Sequence, residues 1–201
     1  MAVKRDRSWL VRLIDHPANI GARNALLWGV AWLIVGSMVG WYFRLVPTSL
    51  VGYNVSDYVP LIWVVLFNLV IWIVTAVPLF TVAVIRNRKT GVEELFGRVL
   101  YAHWPVNLLM VPALFRGQRV AYASFMADPA QVIAADPLYG WLMAVLCGVV
   151  VLWYLYWCYV AFNAACKRSG VVSVLLYLVV MVVVWMLTDV VRAAMSGVVA
   201  G

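Results

Sequence analysis

The sequence predicts an all-α membrane protein: five transmembrane helices preceded by a short amphipathic interfacial helix. Three observations predict it. First, of 201 residues 66% are hydrophobic and 11% charged, whereas soluble domains are about half apolar. Second, the apolar residues fall into five stretches, at about 25–43, 59–85, 95–115, 138–164 and 171–191. Each is close to the roughly 20 residues that cross a hydrocarbon core of about 30 Å. Third, positive charge sits in short clusters between these stretches. Lipid offers the backbone no hydrogen bonds, so such runs must be helices. A membrane β-barrel would show short alternating segments instead.

No polar linker divides the chain. It reads as one membrane domain over 24–192, with a leader at 1–23 and a tail at 193–201. In the leader, Ser8 can cap a helix that places Trp9, Leu10, Leu13 and Ile14 on one side and Arg5 and Arg12 on the other. Such a helix lies flat among lipid headgroups. His16-Pro17 should end it, because the residue before proline is pushed out of the helical region. The first apolar run, about 19 residues, is too long for a signal-peptide core, so no cleavage is expected.

Charge sets the expected orientation. Lys4, Arg5, Arg7, Arg12, Arg23, Arg86, Arg88, Lys89, Arg98, Lys167 and Arg168 fall on one side of a five-span arrangement, and Arg44, Arg116, Arg119 and Arg192 on the other. The positive-inside rule then puts the amino terminus in the cytoplasm and the carboxyl terminus outside. The net charge of +7 is clustered, which suits anionic headgroups at the cytoplasmic face better than a nucleic-acid-binding face. The 11 tryptophans and 10 tyrosines stand largely near the ends of the runs, as interfacial belts require.

Polar residues inside the spans are the candidates for chemistry. Asn68, His103, Asn107 and Asn163 can form an intramembrane polar network or line a polar path. Each amide hydrogen bond between helices is worth about 1 kcal/mol. A histidine titrates near physiological pH, but the spans bring His103 neither a second histidine nor a central carboxylate. No Ser–His–acid set, HExxH, Walker loop or GxGxxG occurs. The expectation is therefore no enzyme, no catalytic or metal site and no cofactor. Asp189 lies near the end of the fifth run and can pair with Arg192 at i,i+3. Cys147, Cys158 and Cys166 have no CxxC spacing and read as small packing residues.

Two features shape helices. Pro105 and Pro112 should bend or break the third one, with Glu93 and Glu94 at its positive amino-terminal end. Arg98 should snorkel to the headgroups, and Tyr101 and Trp104 should sit at the interface. "GSMVG", Gly36 to Gly40, is a GxxxG that lets two helices approach closely. Its partner is either another helix of the bundle or a second copy of the chain.

Several segments together resemble the Yip1 domain family of five-span membrane proteins, over most of the chain. They are the leader "LIDHPANIGAR", the turn "RNRKTG", the stretch "VEELFGRVLYAHWP" with its Tyr-x-x-x-Pro element (Tyr101 to Pro105), and "WYLYWCYVAFNAACKRSG". The eukaryotic branch carries DLYGP in its leader. Here "DPLYG" (Asp136 to Gly140) has the order altered and lies in the longest connection, so nothing is carried over from it. The resemblance implies a membrane adaptor or organiser with other membrane proteins as partners. In eukaryotes it implies membrane trafficking and small GTPases. The short leader points to a bacterial-type member in the inner membrane. The rival classes are a small transporter or channel subunit using Asn68, His103, Asn107 and Asn163, and a lipid-acting enzyme with His103 as base.

Overall fold

The computed structural model describes residues 16–56, 59–115, 119–167 and 170–199. The amphipathic stretch around Trp9 to Ile14 lies outside the described residues. In chain order the elements are α1 (His16–Asn19), α2 (Ala22–Tyr42), β1 (Leu45–Ser49), β2 (Gly52–Val55), α3 (Leu61–Arg86) and α4 (Val92–Ala102). A 3-10 segment (Trp104–Met110) follows, then α5 (Val111–Leu114), α6 (Arg119–Ala127), α7 (Pro129–Ala135), α8 (Pro137–Cys166) and α9 (Val171–Val199). Pro17 stands inside α1, at a helix start, where its missing N–H costs nothing.

Among the described residues, four helices are long and apolar enough to cross a membrane: α2, α3, α8 and α9. Their outward faces carry Leu27, Ile34, Ile73, Val149 and Val183 exposed, an apolar surface that only lipid can solvate. The chain is an integral membrane protein. The third expected helix, 95–115, is not one continuous helix. Helix α4 stops at Ala102, and His103 N bonds to Leu100 O at 3.2 Å while Val106 N bonds to His103 O at 3.1 Å. Pro105 is in the first turn of the 3-10 segment and Pro112 in that of α5. Each lacks the N–H that would continue an α-helix.

This broken segment nevertheless passes from one end of the bundle to the other. Gly97 lies against Ala22 and Leu26, Gly29 against Leu100 and Tyr101, Gly36 against Asn107, and Gly40 against Met110. The two segments therefore run parallel. Residues 26 to 40 of α2 advance about 21 Å over the same stretch. Helix α3 runs antiparallel to both, with Asn68 bonded to Ser37 and Trp72 to Phe96 O. Helix α8 is antiparallel to the third pass, since Tyr101 pairs with Trp157, His103 with Tyr154 and Trp104 with Trp153. Helix α9 returns beside α8, where Tyr177 OH donates to Leu155 O at 2.6 Å.

The bundle is helical as expected and carries one small β element besides. Strands β1 and β2 form an antiparallel hairpin, pairing Leu45 with Val55 and Pro47 with Tyr53, with a bulge between Pro47 and Ser49. Arg44 adopts φ 57°, a left-handed conformation that turns the chain out of α2 into the hairpin. Leu45, Val46, Leu50 and Tyr53 are buried. The connection expected over 116–137 also holds two short helices, α6 and α7. Asp128 and Asp136 accept hydrogen bonds from Gln131 N and Tyr139 N, each at 3.1 Å, and so cap α7 and α8.

Charges segregate by end. Arg23, Arg86, Arg88, Lys89, Arg98 and Lys167 lie at the end that holds the α3–α4 and α8–α9 turns, with Glu93 and Glu94. Arg44, Arg119 and Arg192 lie at the hairpin end, with Asp128, Asp136 and Asp189. The first is the basic end.

Candidate functional site: a polar seam at the broken third pass

Close approach of α2 to the third pass comes from small residues. Ala25, Gly29, Gly36, Ser37 and Gly40 are the buried positions of α2. A Cβ on Gly29 would sit 2.9 Å from the backbone nitrogen of Tyr101, and one on Gly40 3.0 Å from Leu45 O. The GxxxG therefore serves packing within the bundle. Gly36 and Gly40 both face elements of their own chain.

The space left by Gly36 is filled by Asn107. Its Oδ1 accepts from Tyr53 OH at 3.2 Å, which joins the hairpin to the 3-10 segment across 54 residues. At the next residue of α2, Asn68 Nδ2 donates to Ser37 Oγ at 2.9 Å, joining α3 to α2. Both bonds cross between elements in surroundings with little water, where such bonds are worth about 0.6 to 2 kcal/mol each. Asn68, His103 and Asn107 line one small cavity with Trp32, Trp72 and Trp104. Its volume is about 10 Å³, close to the minimum for a single water.

Three of the four amide and imidazole candidates thus converge. Asn163 does not. It lies nine residues along α8 from Tyr154, the residue facing His103, or about 13 Å along the helix. Its Oδ1 is buried with no hydrogen-bond partner among the described residues.

The His103 ring meets Tyr154 edge-on at 5.2 Å. Trp104 stacks on Trp32 at 5.3 Å and meets Trp153 and Trp157 at 5.6 and 6.1 Å. The aromatic residues at the break therefore clamp the third pass between α2 and α8. Arg98 has its partner on its own helix. It is 11% exposed and pairs with Glu94 at 3.1 Å, so its charge is met within α4. Asp189 and Arg192 pair at 3.3 Å as their spacing predicts. The three cysteines are free.

Sequence reasoning missed Ser37 and Tyr53. A buried serine in a run of small residues carries a weak signal, and Tyr53 lies outside the five apolar stretches. A second missed arrangement lies at the basic end. Asn87 Nδ2 and Thr90 Oγ1 both donate to Ala165 O at 2.9 Å. The α3–α4 turn thereby satisfies a carbonyl left open at the end of α8 and fastens "RNRKTG" to that helix end. Arg88, Lys89 and Lys167 remain exposed around that junction.

Among the described residues, no group of three or more His, Cys, Asp or Glu side chains could hold a metal ion. No family model, curated protein or solved structure matches the chain. The fold and its apolar exterior define the class, an integral membrane protein built as a helix bundle.

Proposed function

We propose that the chain is a non-enzymatic, multi-pass membrane protein of Yip1 type, acting as an adaptor or organiser with a role in membrane trafficking or homeostasis. It crosses the bacterial inner membrane five times, the third time through α4, the 3-10 segment and α5. Its amino terminus is cytoplasmic and its carboxyl terminus outside. It binds anionic headgroups at the cytoplasmic face and other membrane proteins, a second copy of itself included, and needs no cofactor.

The observation that carries this reading is the fastening of the basic α3–α4 turn to the end of α8 by Asn87 and Thr90 on Ala165 O. Arg88 and Lys89 are thereby held at the same end of the bundle as Lys167, a cationic surface that favours docking to acidic groups and sets topology. The Yip1 assignment rests on the motifs quoted above. Affinity purification in mild detergent tests the reading. Full-length protein should bring down membrane proteins or anionic lipid that the triple variant Arg88→Gln, Lys89→Gln, Lys167→Gln loses. An identical set from both would count against it.

One observation favours a second reading. Asn68, His103 and Asn107 face a common cavity, as a transporter or channel subunit with a polar path would require. Its present size of about 10 Å³ means that transport would need the seam to open. Solute flux in proteoliposomes, abolished by Asn68→Leu, would promote this reading over the first.

A further inference from the structure

Helices α8 and α9 meet near the basic end through Tyr177, which packs on Tyr159 and Phe162, and then part towards the hairpin end. Between them lies a groove of about 420 Å³, well within the roughly 300–1,000 Å³ of ligand clefts. Leu155 on α8, Leu178 and Val182 on α9, and Leu50 at the hairpin turn line it, with almost no polar surface. Leu50, Val51 and Trp185 also line a second, smaller cavity of about 70 Å³, whose other walls are Ser49, Thr188, Asp189 and Arg192. The two spaces lie side by side, sharing Leu50, Val51 and Trp185 as walls. Along α9 the lining changes from Leu178 and Val182, through Trp185, to Asp189 and Arg192. That is about 10 Å from Trp185 to Arg192, an apolar-to-interfacial gradient read along one helix.

We infer that these adjacent spaces form a site for one zwitterionic phospholipid, with an acyl chain in the α8–α9 groove and its headgroup over Asp189 and Arg192. Charge complementarity selects the occupant. Arg192 and Asp189 are 3.3 Å apart and each about half exposed, so the mouth offers a cation and an anion side by side. A headgroup bearing a phosphate and an ammonium can pair with both at once. A purely anionic headgroup would meet Asp189 as a like charge. Trp185 stands where chain and headgroup join, the position tryptophan favours at an interface. The inference rests on the bundle lying in lipid and is independent of the organiser reading.

Native mass spectrometry of the full chain in mild detergent, offered equal amounts of phosphatidylethanolamine and phosphatidylglycerol, tests it. Wild type should retain one phosphatidylethanolamine in preference to phosphatidylglycerol. Val182→Trp fills the groove and should lower retention about fivefold or more. Val35→Trp adds the same bulk to an exposed position of α2 and should leave it unchanged. Asp189→Asn should erase the preference between the two lipids, by a factor of about two to five, the range set by an exposed ion pair. No retained lipid in wild type, equal retention of both lipids, or equal effects of the two tryptophan variants would overturn the inference. A poorly inserted Val182→Trp would not shelter it, because the Asp189→Asn preference is read within a single sample.

Discussion

Asn107 occupies the space that a side chain on Gly36 would fill. A Cβ there would lie 2.6 Å from Asn107 Oδ1 and 2.9 Å from its Cγ and Nδ2. Neither residue alone explains the seam: the glycine makes room, and the amide uses that room to reach Tyr53. Gly36→Ala should therefore destabilise the bundle by about 1–3 kcal/mol, the usual cost of overpacking. Gly148→Ala, which meets nothing within 4 Å, should be neutral or slightly stabilising. Thermal unfolding followed by tryptophan fluorescence in detergent checks both. Adding Asn107→Gly to Gly36→Ala should recover much of the loss, a coupling that independent sites would not show.

The Asn68–Ser37 bond makes a second prediction. Ser37→Ala removes the acceptor and should cost about 1 kcal/mol, within the range for intramembrane hydrogen bonds. Ser37→Ala combined with Asn68→Leu should cost less than the sum of the two changes. Strictly additive losses would mean that the bond contributes nothing.

The break in the third pass separates structure from chemistry. Pro105→Ala restores a backbone N–H and should let α4 extend, which would shift Trp104 against Trp32 and Trp153 and change the fluorescence of that cluster. His103→Gln keeps a polar side chain that cannot titrate and should leave function largely intact. Complete loss in a well-inserted His103→Gln protein, with Pro105→Ala near normal, would revive the transporter or enzyme reading.

The leader and the basic end should act together on lipid. A peptide of residues 1–23 should gain helicity on anionic vesicles and lose binding as salt rises. Equal binding to neutral vesicles at every salt concentration would contradict this.

Much of the architecture was legible because lipid imposes long apolar runs. Four of the five expected stretches match helices with modest shifts at their ends, such as 59–85 against Leu61–Arg86. The break of the third was legible in Pro105 and Pro112, whose missing N–H groups act locally. The hairpin was hidden. Its turn residues, Leu50 and Val51, are apolar and line a cavity with Trp185, and no Asn-Gly signal marks the turn in "LVPTSLVGYNV". The short helices before α8 did leave a sign, since Asp128-Pro129 and Asp136-Pro137 each pair a capping aspartate with proline at the first helical position. The seam was half legible. Asn68, His103 and Asn107 stood out as polar residues in apolar runs, but the Tyr53 bond to Asn107 spans 54 residues and only the fold brings those two together.

The account turns on the third pass. If α4, the 3-10 segment and α5 cross the membrane, the number of crossings is odd and the termini lie on opposite sides. Reporter fusions at both ends, one active only in the cytoplasm and one only outside, test this directly. The amino terminus should report from the cytoplasm and the carboxyl terminus from outside. Both termini reporting from the same side would contradict it.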